Sequence, residues 1–213
     1  ARAFVEAGAK GIVGAAYVYT DGDLTAWEQD WRKRSRGKAL AVVRPASTEE
    51  VAQLVKACAA YQTLPPASGI SIVPQGGNTG LVVGSTPDDS GHQIVLSLQR
   101  MNTVRSLDTD NLTMTVEAGC ILQNLQERAE ESNLLFPLSM ASEGTFTPGG
   151  HLGTNAGGTQ LQRSRNTPAL CRRRGGGGAQ GVRWHVWRGL RKAHTGYHQS
   201  TPRDGAAVTR APT

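Results

Sequence analysis

GISIVPQGGNTGLVVGS, residues Gly69–Ser85, sets five glycines into a stretch that otherwise reads as a buried strand running into a turn. Glycine costs roughly 0.5–1 kcal/mol relative to alanine inside a regular element, so a run of it signals unusual dihedrals or close approach of another group to the backbone. Ile70, Ile72 and Val73 have strand character, and Pro74 is expected to close that strand. Gly76, Gly77, Asn78, Thr79 and Gly80 follow, with almost no Cβ atoms to shield their amides. Such a loop is either a tight surface turn or a nest of N–H dipoles aimed at an anion. It is not a Walker A loop, which needs Gly-Lys-Ser/Thr, nor the G-x-G-x-x-G of a dinucleotide fold.

Working outward, Leu40–Arg44 is a short apolar strand ending at Pro45. Ser47-Thr48-Glu49-Glu50 then supplies a helix N-cap with acidic residues in the first turn. Val51, Leu54, Val55 and Cys58 recur at helical spacing, and the helix is expected to end near Tyr61, ahead of Leu64-Pro65-Pro66. With Ile70–Val73 this is a β-α-β unit that delivers the Gly76–Gly80 loop at a strand's carboxyl end, where open α/β sheets bind ligands. Further on, Ile94–Leu98 and Thr113–Glu117 read as strands and Ile121–Ser132 as a helix with Asn133 as its C-cap. A second glycine-rich tract follows in FPLSMASEGTFTPGGHLGTNAGG, again with small and polar residues and no lysine. Two such loops point to an extended anionic ligand held at two places, since a single phosphate needs only one.

Composition sets the bounds. The 213 residues suffice for one large or two small domains. Cys58, Cys120 and Cys171 are odd in number and far apart, which argues against a disulfide framework or a zinc ribbon. The apolar stretch Gly11–Tyr19 is too short to span a bilayer and lacks the flanks of a signal peptide, so no membrane span and a cytoplasmic location are expected. With no initiator Met, the chain is expected to be a fragment. The net charge of +6 belongs entirely to residues 172–213, which hold nine basic and one acidic side chain, so it is no argument for nucleic-acid binding by the rest.

PQGGNTGLVVGS (74–85) together with GTFTPGGHLGTNAGG (144–158) resembles the FAD-binding PCMH-type domain of the vanillyl-alcohol oxidase family. The likeness is to its FAD-linked D-2-hydroxyacid dehydrogenase branch, of D-lactate and D-2-hydroxyglutarate dehydrogenase type. VVRPASTEEVAQLV (42–55), LSLQRMN (96–102) and VEAG (116–119) fall in the same order, so the resemblance covers about residues 10–170. It implies an α+β fold of two α+β subdomains, here with the second incomplete, and FAD lying between them. By the same resemblance Gly76, Gly77, Asn78, Thr79, Gly80 and Leu81 wrap the pyrophosphate with Ser85 nearby. Pro137, Gly144, Thr145, Gly149, Gly150, Asn155 and Gly157 line the second wall. Where relatives that attach FAD covalently often carry a histidine in the first loop, this chain has Asn78, so FAD is expected to be non-covalent. His151 stands where many relatives have Asn.

The expected division is an N-terminal segment over 1–38, a FAD-binding domain over 39–197 and a disordered tail over 198–213. Within the domain the subdomains are expected at about 39–100 and 101–197. The expected partners are FAD and, in a full-length family enzyme alone, a small 2-hydroxy acid; no catalytic residue, metal site or nucleic acid is assigned. His194 and His198 have a metal-ligand spacing, but Gly196 intervenes and no acid accompanies them, so a solvated pair is expected. The basic stretch WRKRSRGK (Trp31–Lys38) reads as a solvated loop or as an attractor of acidic substrate or phosphate. The implied chemistry is oxidation of a D-2-hydroxy acid to the 2-oxo acid, with base and substrate-binding arginines outside this chain. The alternative is a non-catalytic remnant or a basic-tailed binding module without flavin.

After Cys171 relatives continue with a strand like LGVEVV, whereas Arg172–Gly178 reads RRRGGGG, a composition that cannot form a buried strand. A shifted reading frame accounts for this, because codons for that run, read one base later, can spell Val-Gly-Val-Glu-Val-Val. Sequencing of the coding DNA is expected to show such codons over residues 172–178; any other codon set removes the reading.

Overall fold

The computed structural model describes residues 3–61, 69–136, 138–156, 171–173, 182–185 and 187–188. Its architecture is α+β, with two units that meet at the glycine-rich loops. The first unit grows from the run Ala-Leu-Ala-Val-Val, too continuously apolar for a half-solvated strand. The strands are β1 (Val18–Tyr19), β2 (Ala39–Val43), β3 (Ser71–Gln75) and β4 (Gln93–Ser97), in the order β1-β2-β4-β3. Both β2 and β3 run parallel to β4, which lies between them, and β1 pairs antiparallel to the outer side of β2.

Of the helices, α1 (Lys10–Val13) extends a π-helical turn at Phe4–Ala9, α2 is the short Thr25–Glu28, and α3 (Thr48–Tyr61) links β2 to β3. At the start of α3 the Glu50 amide donates to Ser47 Oγ (3.1 Å) while Glu50 Oε2 accepts from the Ala46 amide (2.7 Å), a reciprocal cap. Leu54 and Cys58 of this helix bury against Ala41, Val43, Ile70, Ile94 and Leu96. Phe4, Val5, Ala9 and Val13 complete the same core, so the N-terminal segment builds into the first unit. Leu24, Ala39, Val42 and Val95, with Tyr19 and Trp27, cover the opposite face. Pro74 does not end β3 as expected: the strand continues to Gln75, because β3 is an edge where a missing N–H goes unfelt.

The second unit is an antiparallel sheet in the order β5 (Val104–Asp108), β6 (Thr113–Val116), β9 (Val182–His185), β8 (Cys171–Arg173). A separate pair joins β7 (Leu134–Leu135) to β10 (Trp187–Arg188). Between β6 and β7 runs α4 (Leu122–Glu130), whose Leu122, Leu125 and Ala129 pack on Met114, Val116, Phe136 and Phe146. Asn133, expected as the helix C-cap, lies just past it with φ +55°, in the turn that leads into β7. Two of the three arginines at 172–174 enter β8, an edge strand paired on one side only, which is where a sheet tolerates such residues. Residues 174–178 and the 198–213 tail lie outside the described residues. Cys58 and Cys120 are free and buried, and burial pushes each thiol up to about 11.

Where β4 exits, Gly119 meets the first unit and Glu117 braces the entry to the second. Glu117 Oε2 accepts from the Thr103 amide (2.9 Å), Glu117 Oε1 accepts from Arg105 Nη2 (2.8 Å), and the Gly119 amide donates to Met101 O (2.8 Å). A Cβ on Gly119 would collide with the Leu98 carbonyl. Burial by itself would raise the Glu117 pKa, but the bonds from Thr103 and Arg105 outweigh it and hold the carboxyl below its usual value. A carboxylate with a depressed folded pKa contributes stability above its unfolded value of about 4.3, and that contribution fades as pH falls through the folded value. Glu117→Gln is expected to cost about 1–3 kcal/mol at pH 7, with the gap to the parent protein narrowing below pH 4 in urea titrations. A gap independent of pH would show that the charge is not what holds the junction.

Candidate functional site

The first loop leaves the carboxyl end of β3 and is fixed from below. Gln75 is 1% exposed, and its Nε2 donates to Trp27 O (2.9 Å) and Ser85 O (2.7 Å). Asn78 takes a left-handed φ of +52°, and its Nδ2 donates to Gln29 O (2.8 Å) and Ala26 O (3.2 Å) while its Oδ1 accepts from Ser85 Oγ (2.9 Å). With its side chain so engaged, Asn78 offers a ligand its backbone amide. Among the described residues the amides of Gly76, Gly77, Asn78, Thr79 and Gly80 have no acceptor. Beyond them Leu81 and Val82 project outward, 52% and 86% exposed, and Val83 holds φ +63°, an outlier for a β-branched residue.

The second tract is not all loop. Thr147 and Pro148 start a short helix, α5 (Pro148–Thr154), with Thr147 Oγ1 accepting from the Gly150 amide at 3.4 Å and Asn155 closing it at φ +47°. Three glycines weaken the helical reading, yet a capping threonine followed by proline at the first position is a legible start signal. The Gly149 amide donates to Ala118 O (2.9 Å), which seats α5 on the VEAG turn. His151 is fully buried with its ring 5.4 Å from that of Phe146, and burial lowers its pKa against the opposing effect of its bond to the Ala156 backbone. It is a neutral core residue.

The two tracts touch through missing side chains. A Cβ on Gly76 would collide with Thr147 Oγ1, and one on Gly77 with the Thr145 carbonyl. At these two positions the glycines admit the other loop rather than a ligand. Gly84 faces open space, and Gly80 has nothing nearer than Ser85 Oγ at 3.9 Å, leaving room beside the unclaimed amides. Of the expected site residues, the structure brings together Gly76, Gly77, Thr145 and Gly150, with Asn78, Thr79, Gly80, Leu81 and Ser85 in the same first loop. Gly149 anchors α5, Gly144 and Asn155 lie at the two ends of the second tract, and Pro137 and Gly157 lie outside the described residues. Sequence reasoning missed Gln75, Thr147 and the Ala26–Gln29 carbonyls. Thr147 had its cap signal; Gln75 and the carbonyls carry none.

Chemically the arrangement suits an extended anion. Five amides without an acceptor among the described residues share one short loop with the Thr79 hydroxyl, and neither Gly76–Ser85 nor Gly144–Asn155 contains a carboxylate to repel it. The basic stretch at Trp31–Lys38 is an exposed turn organised by Asp30, whose carboxylate accepts from the Arg32, Arg34 and Ser35 amides (3.1, 2.7 and 2.6 Å). These bonds, chiefly that from Ser35, hold the Asp30 pKa below its usual value. An open cleft of about 440 Å³ lined by Arg36, Val83, Thr86, Asp88 and Gln93 includes no residue of the second tract. Among the described residues no three His, Cys, Asp or Glu side chains are grouped to hold a metal, and no helix is long and apolar enough to cross a membrane.

Comparison with known proteins converges on one cofactor. Residues 39–173 match the family model described as FAD binding domain. A mitochondrial D-2-hydroxyglutarate dehydrogenase of Danio rerio is 38% identical over 145 residues, covering 68% of this chain and 26% of that protein. A Schizosaccharomyces pombe protein provisionally assigned as a mitochondrial D-lactate dehydrogenase is 35% identical over 162 residues, covering 72% and 29%. Both names say mitochondrial, a location given for those relatives. The chain spans about a quarter of the length of the curated relatives it matches. Among solved structures, an alkyldihydroxyacetonephosphate synthase shares the fold with a TM-score of 0.70 at 18% identity, covering 84% of this chain and 39% of its own.

The loop contact makes a sharp contrast between glycines. Gly77→Ala is expected to cost about 1–3 kcal/mol through overpacking, whereas Gly84→Ala, with nothing within 4 Å, is expected to fall within about 0.5 kcal/mol of the parent protein. Denaturant midpoints of the two variants check this; equal midpoints would mean the loops do not pack as described.

Proposed function

We propose, on the premise that this chain belongs to the FAD binding domain family, that it is the flavin-holding part of an oxidoreductase converting D-2-hydroxy acids to 2-oxo acids. The substrate class, of D-2-hydroxyglutarate or D-lactate type, rests on relatives that carry those names. The observation that carries the proposal is the run of unclaimed amides from Gly76 to Gly80, at the carboxyl end of β3 and against the second glycine tract. Bound FAD supplies the two-electron acceptor that such an oxidation requires.

This chain's own residues bind and orient. The Gly76–Gly80 amides and the Thr79 hydroxyl would hold the diphosphate, with the Thr145–Gly150 segment of the second unit packed beside them. No lysine or metal is needed, because fixed N–H dipoles stabilise the charge. The first loop holds no histidine or cysteine to attach the cofactor, in keeping with FAD held non-covalently. The base that takes the hydroxyl proton and the arginines that bind the substrate carboxylate belong to sequence beyond the quarter of the relatives that this chain matches. By itself the chain holds FAD and turns over little or no substrate.

Titration with FAD, followed by flavin fluorescence and by calorimetric heat, tests the reading. Saturable binding is expected, at least tenfold weaker in Gly77→Val, together with no dye reduction on adding D-lactate or D-2-hydroxyglutarate. Absence of FAD binding, with salt-dependent binding to DNA in its place, would favour a basic-tailed module instead. Measurable turnover would overturn the assignment of substrate chemistry to the part of the relatives that this chain does not match.

A further inference from the structure

We infer that Gln75 and Asn78 are positioning residues for the cofactor, and that the carbonyl groups of Ala26, Trp27 and Gln29, ahead of the matched domain, form the platform on which they set the diphosphate loop. The inference rests on the FAD-binding reading and deepens it. Neither side chain is left free to meet a ligand. Gln75 is buried, with both of its donor bonds spent on carbonyls, one on the platform and one at Ser85 on the far end of the loop. Asn78 spends its donors on Ala26 and Gln29 and its acceptor on Ser85 Oγ, from a left-handed backbone that asparagine tolerates. Four bonds to carbonyls and one from a hydroxyl thus close the loop into a ring and fasten that ring to α2.

The fastening matters because the amides between these two residues and just beyond them are unclaimed. A loop whose N–H groups lack protein acceptors has nothing of its own to hold them in place, and water competes for each of them. The two side-chain amides supply that order from behind, so the donors are aimed before the anion arrives and the ordering entropy is not drawn from binding. The platform is itself anchored: Glu28 accepts from the Ala39 amide at 3.0 Å, coupling the segment to the start of β2. Residues 25–29 precede the family match, which begins at residue 39, yet they set the geometry of the loop that the match is built around.

The test uses the full chain with Gln75→Met, which keeps length and loses both donors, and Asn78→Gly, which keeps the left-handed backbone and loses the three side-chain bonds. Backbone order parameters of the Gly76–Gly80 amides, hydrogen exchange in β2 and β4, and FAD affinity are measured at a temperature where circular dichroism shows each variant fully folded. The expected result is order parameters at these amides falling from about 0.85 to below about 0.6, and FAD affinity weaker by tenfold or more, with exchange in β2 and β4 unchanged. Variants whose loop amides stay as rigid as the parent's and that bind FAD within twofold of it would overturn the inference. Should the parent itself fail to bind FAD, the family-based function falls while the order parameters still decide whether the clamp orders the loop. Faster exchange throughout β2 and β4 would assign the two residues to general stability and also overturn the proposal.

Discussion

The fit of Gly77 beneath the Thr145 carbonyl, with Gly76 beneath Thr147 Oγ1, is the constraint on which the site depends. Two loops from different units approach so closely that no side chain intervenes, and this fixes the distance between the parallel sheet and the α4–α5 region. A cradle made of backbone works only if the backbone cannot drift. Interpenetration without Cβ atoms supplies that rigidity, because well-packed contacts have no slack to give up.

The rest of the fold serves this junction. Parallel strands β2 and β4 are buried on both faces, so their carboxyl ends form a stiff rim from which the β3 exit and the β4 exit both lead to the second unit. At the β4 exit Gly119 repeats the device seen at Gly77, admitting the Leu98 carbonyl where a Cβ would sit, while Glu117 ties Thr103 and Arg105. Gly149 does the same against Ala118 within the second unit. The close approaches at Gly76, Gly77 and Gly119 therefore define the interface, while Gly149 and the Glu117 carboxylate brace the second unit behind it. The substitutions a surface turn would accept freely are costly at these positions, and those at Gly84 are not.

The sequence made the β-α-β unit and both glycine tracts legible because each carries a local signal: apolar runs, a Ser-x-x-Glu cap, Gly and Pro punctuation. The short strand β1 and the platform at residues 25–29 were not legible, since two residues of strand and one turn of helix have no periodicity to detect. Pro74 misled because an edge strand can absorb a proline, and edge position is a property of topology. The role of Gly76 and Gly77 was legible only as a need for bare backbone. Which neighbour fills the space, a ligand or another loop, is decided by a contact some seventy residues away in sequence, at Thr145 and Thr147.

Charge gives the last step. The excess positive charge of the chain lies in residues 172–213, whereas the Gly76–Ser85 and Gly144–Asn155 tracts carry no ionised side chain, with His151 buried and held toward its neutral form. On the proposed function, recognition of an anion by this cradle is therefore dipolar and short-ranged, and depends on where the amides point more than on any net field. Three non-glycine residues with positive φ, Asn78, Val83 and Asn155, fall in these same tracts. Strained backbone persists only where surrounding structure over-determines it. Here the determinants are the two side-chain amides beneath the first loop and the seat of α5 on Ala118. On that reading, a site that meets charge without carrying any must hold its geometry in advance, which accounts for bare backbone, the Val83 outlier and the engaged amide side chains of Gln75 and Asn78 lying in and beside the first tract.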